Sequence, residues 1–106
     1  MSAEDHYLDA LEALDNDDRE KALEEAYKAV KLDEEHVDAW QIISDAHLPP
    51  TGVSPSMIEA SKSLSAVKKV VALEPSRIDM WVRGGRLLAD ELGLMLDALQ
   101  WWQDVR

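Results

Sequence analysis

"KAVKLDEEHVDAW" (residues 28–40) and "KKVVALEPSRIDMW" (residues 68–81) say nearly the same thing twice. In each, an apolar run with helical spacing closes on Leu and an acidic residue. A short polar turn follows, and a tryptophan opens the next run. Trp40 and Trp81 are 41 residues apart, and Tyr7 precedes Trp40 by 33. The extra residues of the longer interval fall in "LPPTGVS" (48–54). There Pro49 and Pro50 stop a helix, Gly52 permits a turn, and Ser54-Pro55 can open the next helix. A helix-pair period near 34 residues with a local insertion is the mark of a repeat architecture.

Helical spacing extends outward from these two phrases. Tyr7, Leu8, Leu11 and Leu14 recur at steps of three and four, as do Ala22, Ala26, Ala29 and Val30, and no alternating strand pattern intervenes. "DNDDRE" carries a capping-box signature in which Asp17 accepts from the amide of Glu20. "LDEEH", "LEPSR" and Gly93 supply the other breaks. The spacing predicts six helices, at about 4–15, 18–32, 36–47, 55–73, 77–91 and 94–105. Short links make them antiparallel neighbours, paired as about 4–32, 36–73 and 77–105 in one domain spanning 1–106.

With its parts in place, the pattern resembles the tetratricopeptide repeat family across nearly the whole chain. Tyr7, Ala10, Leu11 and Leu14, then Ala22, Ala26, Ala29 and Glu34, fill the family's places in the first repeat. Trp40, Ile43, Ser44 and His47, then Ser63, Val67, Val70 and Pro75, fill them in the second. Trp81, Gly84, Gly85 and Leu88, then Ala98, Trp102 and Val105, fill them in the third. Glu34 stands where the family closes with Pro, and Ser63 stands where it has a small apolar residue. The resemblance implies an all-α fold of three antiparallel helix pairs stacked as a short right-handed α-solenoid. Independently of the name, the small residues Ala22, Ala29, Gly84, Gly85 and Ala98 allow close helix approach. Trp40, Trp81 and Trp102 fill the spaces between. Two glycines in mid-helix cost about 1 kcal/mol each relative to Ala, which close packing has to offset.

Composition narrows the functions open to the chain. It carries 22 acidic against 11 basic residues. The imbalance is confined to residues 1–53, with 15 acidic and 4 basic, while residues 54–106 hold 7 of each. A net charge of −11 repels phosphates and argues against nucleic-acid binding. No apolar run reaches the roughly 18 residues of a membrane span, and no export signal opens the chain, so a cytoplasmic location is the expectation. The chain has no cysteine, which removes disulfides, thiolate metal sites and Cys nucleophiles. His6, His36 and His47 lack the i, i+4 spacing of a helical zinc pair. His6 lies at an end expected to fray, and His36 lies among acidic residues. No phosphate-cradling glycine loop occurs. The expectation is a non-catalytic protein without metal or cofactor.

The resemblance further implies a concave groove lined by the first helix of each pair. By that likeness it would include Asp9, Glu12, Gln41, Asp45, Val82, Arg83 and Arg86, acidic at one end and basic at the other. Only Arg83 matches the family's carboxylate-gripping places, which disfavours capture of a carboxyl tail. The terminal stretch "LGLMLDALQWWQDVR" (92–106) is apolar on more than one side. Met95, Ala98, Leu99, Trp102 and Val105 form a stripe expected to pack on the helix holding Trp81 and Leu88. Leu94, Leu96 and Trp101 are left for self-association, most simply in a two-fold dimer. The sequence thus reads as a protein–protein interaction module for a protein or peptide segment, self-associating through its last helix. The alternatives are a purely structural self-assembling unit, or a small-molecule or lipid carrier with an inter-helix cavity.

Overall fold

The computed structural model describes residues 2–49, 53 and 55–104. Among them are six α-helices and no strand: α1 (Ala3–Asp15), α2 (Arg19–Leu32), α3 (Val37–His47), α4 (Met57–Leu73), α5 (Ile78–Arg86) and α6 (Met95–Asp104). Each helix packs on the next in the chain, and α1 also touches α3. The result is a row of helix pairs, an all-α solenoid. Pro50, Thr51, Gly52 and Ser54 of the expected loop, and Val105 of the expected terminal stripe, lie outside the described residues.

The two opening phrases fold alike, atom for atom. The indole N–H of Trp40 donates to the Glu34 carbonyl at 2.8 Å, and that of Trp81 donates to the Pro75 carbonyl at 2.8 Å. His36 N–H bonds the Asp33 carbonyl and Arg77 N–H bonds the Glu74 carbonyl, both at 3.1 Å. The first turn uses the Glu34 carbonyl as the second uses that of Pro75, and any residue provides such a carbonyl. Trp40 packs against both hydrophobic cores and joins them. One core is formed by α1, α2 and α3 with Ala66 of α4, and the other by α4, α5, α6 and the turn after α5.

Two local expectations change. Asp17 does not cap α2; it closes α1. Its φ of 62° places it in the left-handed region. Its N–H bonds the Leu14 carbonyl at 3.0 Å and the next N–H, of Asp18, bonds the Ala13 carbonyl at 2.8 Å, the Schellman pair of bonds. Asp18 is the cap, accepting from the Lys21 N–H at 3.2 Å. With four consecutive Asx residues (Asp15, Asn16, Asp17, Asp18), pattern alone could not choose which one caps. The fifth helix does not run on as α-helix to residue 91. It widens into a π-helical turn over Leu87–Glu91, with Leu92 N–H bonded to the Leu87 carbonyl at 2.9 Å, and ends at Gly93 with φ 67°. A π turn reduces the angle between successive side chains, and the adjacent Leu87 and Leu88 are both buried.

Candidate functional site

On α5, Asp79, Val82, Arg83, Arg86 and the following Asp90 recur at steps of three and four and share one helical face. Opposite them, the end of α3 and the segment after it contribute Leu48, Pro49, Val53 and Pro55. Between the two walls lies a cleft of about 570 Å³. Its floor is apolar at Val82 and Leu87, and Asp90 and Glu91 also line it.

Of the charged residues lining the cleft, Asp79 and Arg83 are matched from within. Arg83 forms an ion pair with Asp45 of α3, and its NH1 donates to Ser44 Oγ at 3.1 Å. Both charged side chains are 29 % exposed. Ser63 of α4 donates to the Ser44 carbonyl at 3.0 Å, and the Ser44 and Ser63 hydroxyls are 2.8 Å apart. Ser63 spends its proton on that carbonyl, so Ser44 donates to Ser63 and accepts from Arg83. This network, reaching from α4 to α5, satisfies the buried hydroxyls of Ser44 and Ser63. Arg77, at the start of α5, bonds Gln41 of α3, and its Nε lies 3.3 Å from Asp79. The hydrogen bond from Arg77 holds Asp79 below the usual carboxylate range. Arg86 is exposed and has no hydrogen bond or ion pair among the described residues.

Of the groove residues expected from the sequence, Val82, Arg83 and Arg86 line the cleft, while Gln41 and Asp45 hold its arginine neighbours. Asp9 and Glu12 of α1 do not line it. Sequence reasoning missed Arg77, and it read 48–54 only as an insertion, although Leu48, Pro49 and Val53 form a wall. The available signal was the place of the insertion: it directly follows a first helix, and that helix's groove face leads into it.

The histidines serve contacts between helices. His6 is not frayed: its Nδ1 lies 2.7 Å from Glu25 Oε2, and this bond holds Glu25 below the usual carboxylate range. His36 caps α3, accepting the Ala39 N–H on Nδ1 at 3.1 Å. His47 lies 2.9 Å from the Tyr27 hydroxyl. Among the described residues no group of three or more His, Asp and Glu is placed to hold a metal ion, and no helix is long and apolar enough to cross a membrane.

The last helix is rotated from its expected phase. Ala98 is buried as foreseen. Trp101, expected outside, lies on Trp81 with ring centroids 4.8 Å apart and donates its indole N–H to the Trp81 carbonyl at 2.6 Å. Met95 and Leu99, expected inside, are 58 % and 52 % exposed, beside Leu96 at 82 %. Leu94 is also exposed. The reason lies in α5. A Cβ on Gly84 would stand 2.3 Å from the Trp101 ring, and one on Gly85 would stand 2.2 Å from the Trp102 ring. Two neighbouring glycines seat two neighbouring indoles, and that seating fixes the rotation of α6.

Comparison with known proteins agrees with this geometry at the level of fold. No family model matches the chain, and no curated protein matches its sequence significantly. Among solved structures it is similar to that described as "Crystal structure of MamA protein", with a TM-score of 0.80 at 20 % identity. The match covers 98 % of this chain and 52 % of that one, so the chain spans about half the length of its structural neighbour. The likeness is one of architecture, a tetratricopeptide-like stack of helix pairs.

Proposed function

We propose that this chain is a non-catalytic protein–protein interaction module, and that the cleft between α5 and the residues Leu48, Pro49, Val53 and Pro55 takes an extended segment of a partner protein. The observation that carries the reading is Arg86. Among the described residues it is a cation without an internal partner, lining the cleft with the apolar Val82 and Leu87, while Arg77 and Arg83 nearby are both matched. A segment offering an apolar side chain to Val82 and Leu87 and a carboxylate to Arg86 fits this arrangement. Peptides selected from a random library on the intact chain should be enriched in that pair of features. Their binding should fall at least tenfold, about 1.4 kcal/mol, in Arg86→Glu and in Val82→Arg, with helicity unchanged. Selected peptides indifferent to both substitutions would remove the cleft from the account.

A second reading rests on a separate observation, the exposed row Met95, Leu96 and Leu99 on α6. Contiguous exposed apolar surface marks interfaces, and two copies can pair through one such face about a two-fold axis. Sedimentation at micromolar concentration should show a dimer that Leu96→Asp dissociates. A monomer throughout that range ends this reading and leaves the first intact. A purely self-assembling unit would show the dimer without any cleft-dependent binding.

A further inference from the structure

Beyond partner binding, we propose that α3 carries a pH-operated clasp, His36 at its start and His47 at its end, which holds the acidic first helix pair against the rest of the molecule. Among the described residues, three side-chain hydrogen bonds run from α1 and α2 to α3 and its cap. Glu4 of α1 meets His36 Nε2 at 2.9 Å, Tyr27 of α2 meets His47 Nε2 at 2.9 Å, and Arg19 Nε donates to the Ala46 carbonyl at 2.9 Å. Two of the three run through imidazoles at opposite ends of one helix. Tyr7 adds a ring contact to His36 at 4.9 Å.

Both imidazoles sit where the neutral form fits. His36 accepts the Ala39 N–H on Nδ1, so Nδ1 carries no proton and Nε2–H donates to Glu4. Protonating Nδ1 replaces the acceptor by a donor facing a donor. It also puts positive charge at the positive end of α3. Of the other described helices, α1, α2 and α4 use Ser2, Asp18 and Ser56 as caps, and α5 has Arg77 at the equivalent place with no cap bond. Among the described helices, only α3 is capped by an imidazole. The groups facing His36 are Glu4 and Tyr7 of α1, and its ionisable neighbours along the chain are Asp38 in the first turn of α3 and Asp33, Glu34 and Glu35 of the preceding turn.

His47 is 8 % exposed. Tyr27 and Arg19 of α2, with Glu59 and Lys62 of α4, surround it. Burial, then Lys62 and Arg19, hold it below the ordinary imidazole value against the opposing pull of Glu59. The sign follows. A histidine depressed in the folded state gives its full contribution above the unfolded value, and that contribution is lost as pH falls below it. Acidification therefore weakens the His47 end of α3, and a proton on His36 Nδ1 would remove the cap bond at the other end. The alanine contacts between α1 and α2 do not titrate, so the first pair loosens from α3 as a unit.

Hydrogen exchange on the intact chain tests the clasp. Between about pH 7.5 and about pH 5.5, where imidazole titrates, protection factors in α1 and α2 should fall roughly tenfold relative to α4. The pair His36→Asn with His47→Gln keeps a cap acceptor and a partner for Tyr27 without titrating, and should hold the ratio constant. An unchanged ratio in the native chain, or an equal fall in the double variant, overturns the proposal. Imidazole ¹⁵N shifts of the native chain give a readout independent of the variants' folding. They should show His36 as the Nε2–H tautomer at the higher pH, converting in step with the loss of protection. Conversion out of step, or the opposite tautomer, also overturns it.

Discussion

Between α1 and α2 the closest surfaces are alanine: Ala10, Ala22, Ala26 and Ala29 are fully buried. Between α5 and α6 they are tryptophan on glycine, Trp101 over Gly84 and Trp102 over Gly85. The first pair brings two alanine-faced helices together, with Tyr7, Leu14 and Leu23 packed against the same core. The third pair hollows one helix so that the other can insert its largest side chains. Both solutions fill the space between helices at high density, but they fail in opposite ways. The alanine seam is damaged by added volume, the tryptophan seam by removed volume. The turns differ in the same sense: Asp17 with φ 62° closes α1, while Gly93 with φ 67° closes the third pair's first helix.

The comparison is broken most severely at Trp101. Trp101→Ala removes the ring on Trp81 and the bond to its carbonyl, and should cost about 3 kcal/mol. Urea denaturation should show that loss, with α6 amides exchanging ahead of all other helices. Ala26→Leu adds volume to the alanine seam and should cost roughly 1–3 kcal/mol, whereas the same-sized removal that breaks the third pair has no counterpart there. Gly84→Ala tests the seat directly. Its helix-propensity gain of about 1 kcal/mol should be outweighed by displacement of the hydrogen-bonded Trp101. Gly85→Ala should be milder, because Trp102 is exposed and can swing aside; equal effects would show that the indole bond does not anchor α6. Asp17→Gly should stabilise by roughly 0.5–1 kcal/mol, since the left-handed region suits glycine, while Gly93→Ala should do the reverse.

A smaller effect sharpens the charge side of the comparison. Glu25 is depressed by its bond to His6, so its contribution is present above the ordinary glutamate value and is lost as pH falls through the depressed one. Acid denaturation of Glu25→Gln, followed by circular dichroism, should begin from a lower stability and lose less between those two values. A curve parallel to that of the native chain would show that the pair contributes nothing.

Most of the helices were legible because their breakers are local: Pro49, Gly93 and the acidic turns at 33–35 and 74–76 act on their own neighbours. The repeat was legible because Trp40 and Trp81 stand in equal surroundings, and equal surroundings gave equal bonds. The cleft was half legible. Val82, Arg83 and Arg86 follow from the groove face of one helix. The wall at Leu48, Pro49 and Val53 depends on where an insertion folds back, which periodicity does not encode. The rotation of α6 was misread because Trp101 and Trp102 are adjacent and both apolar. Hydrophobic pattern prefers the phase with the longer stripe, but a glycine's emptiness is visible only from the helix that faces it.

The sequence by itself determined that this protein is helical, paired and repetitive, and that its charge is gathered in its first half, because propensity, spacing and breakers act over a few residues. Tertiary structure alone decided which tryptophan turns inward, which arginine stays unmatched and which histidines hold two helix pairs together. Those choices depend on the volumes and charges that residues tens of positions away bring within a few ångströms.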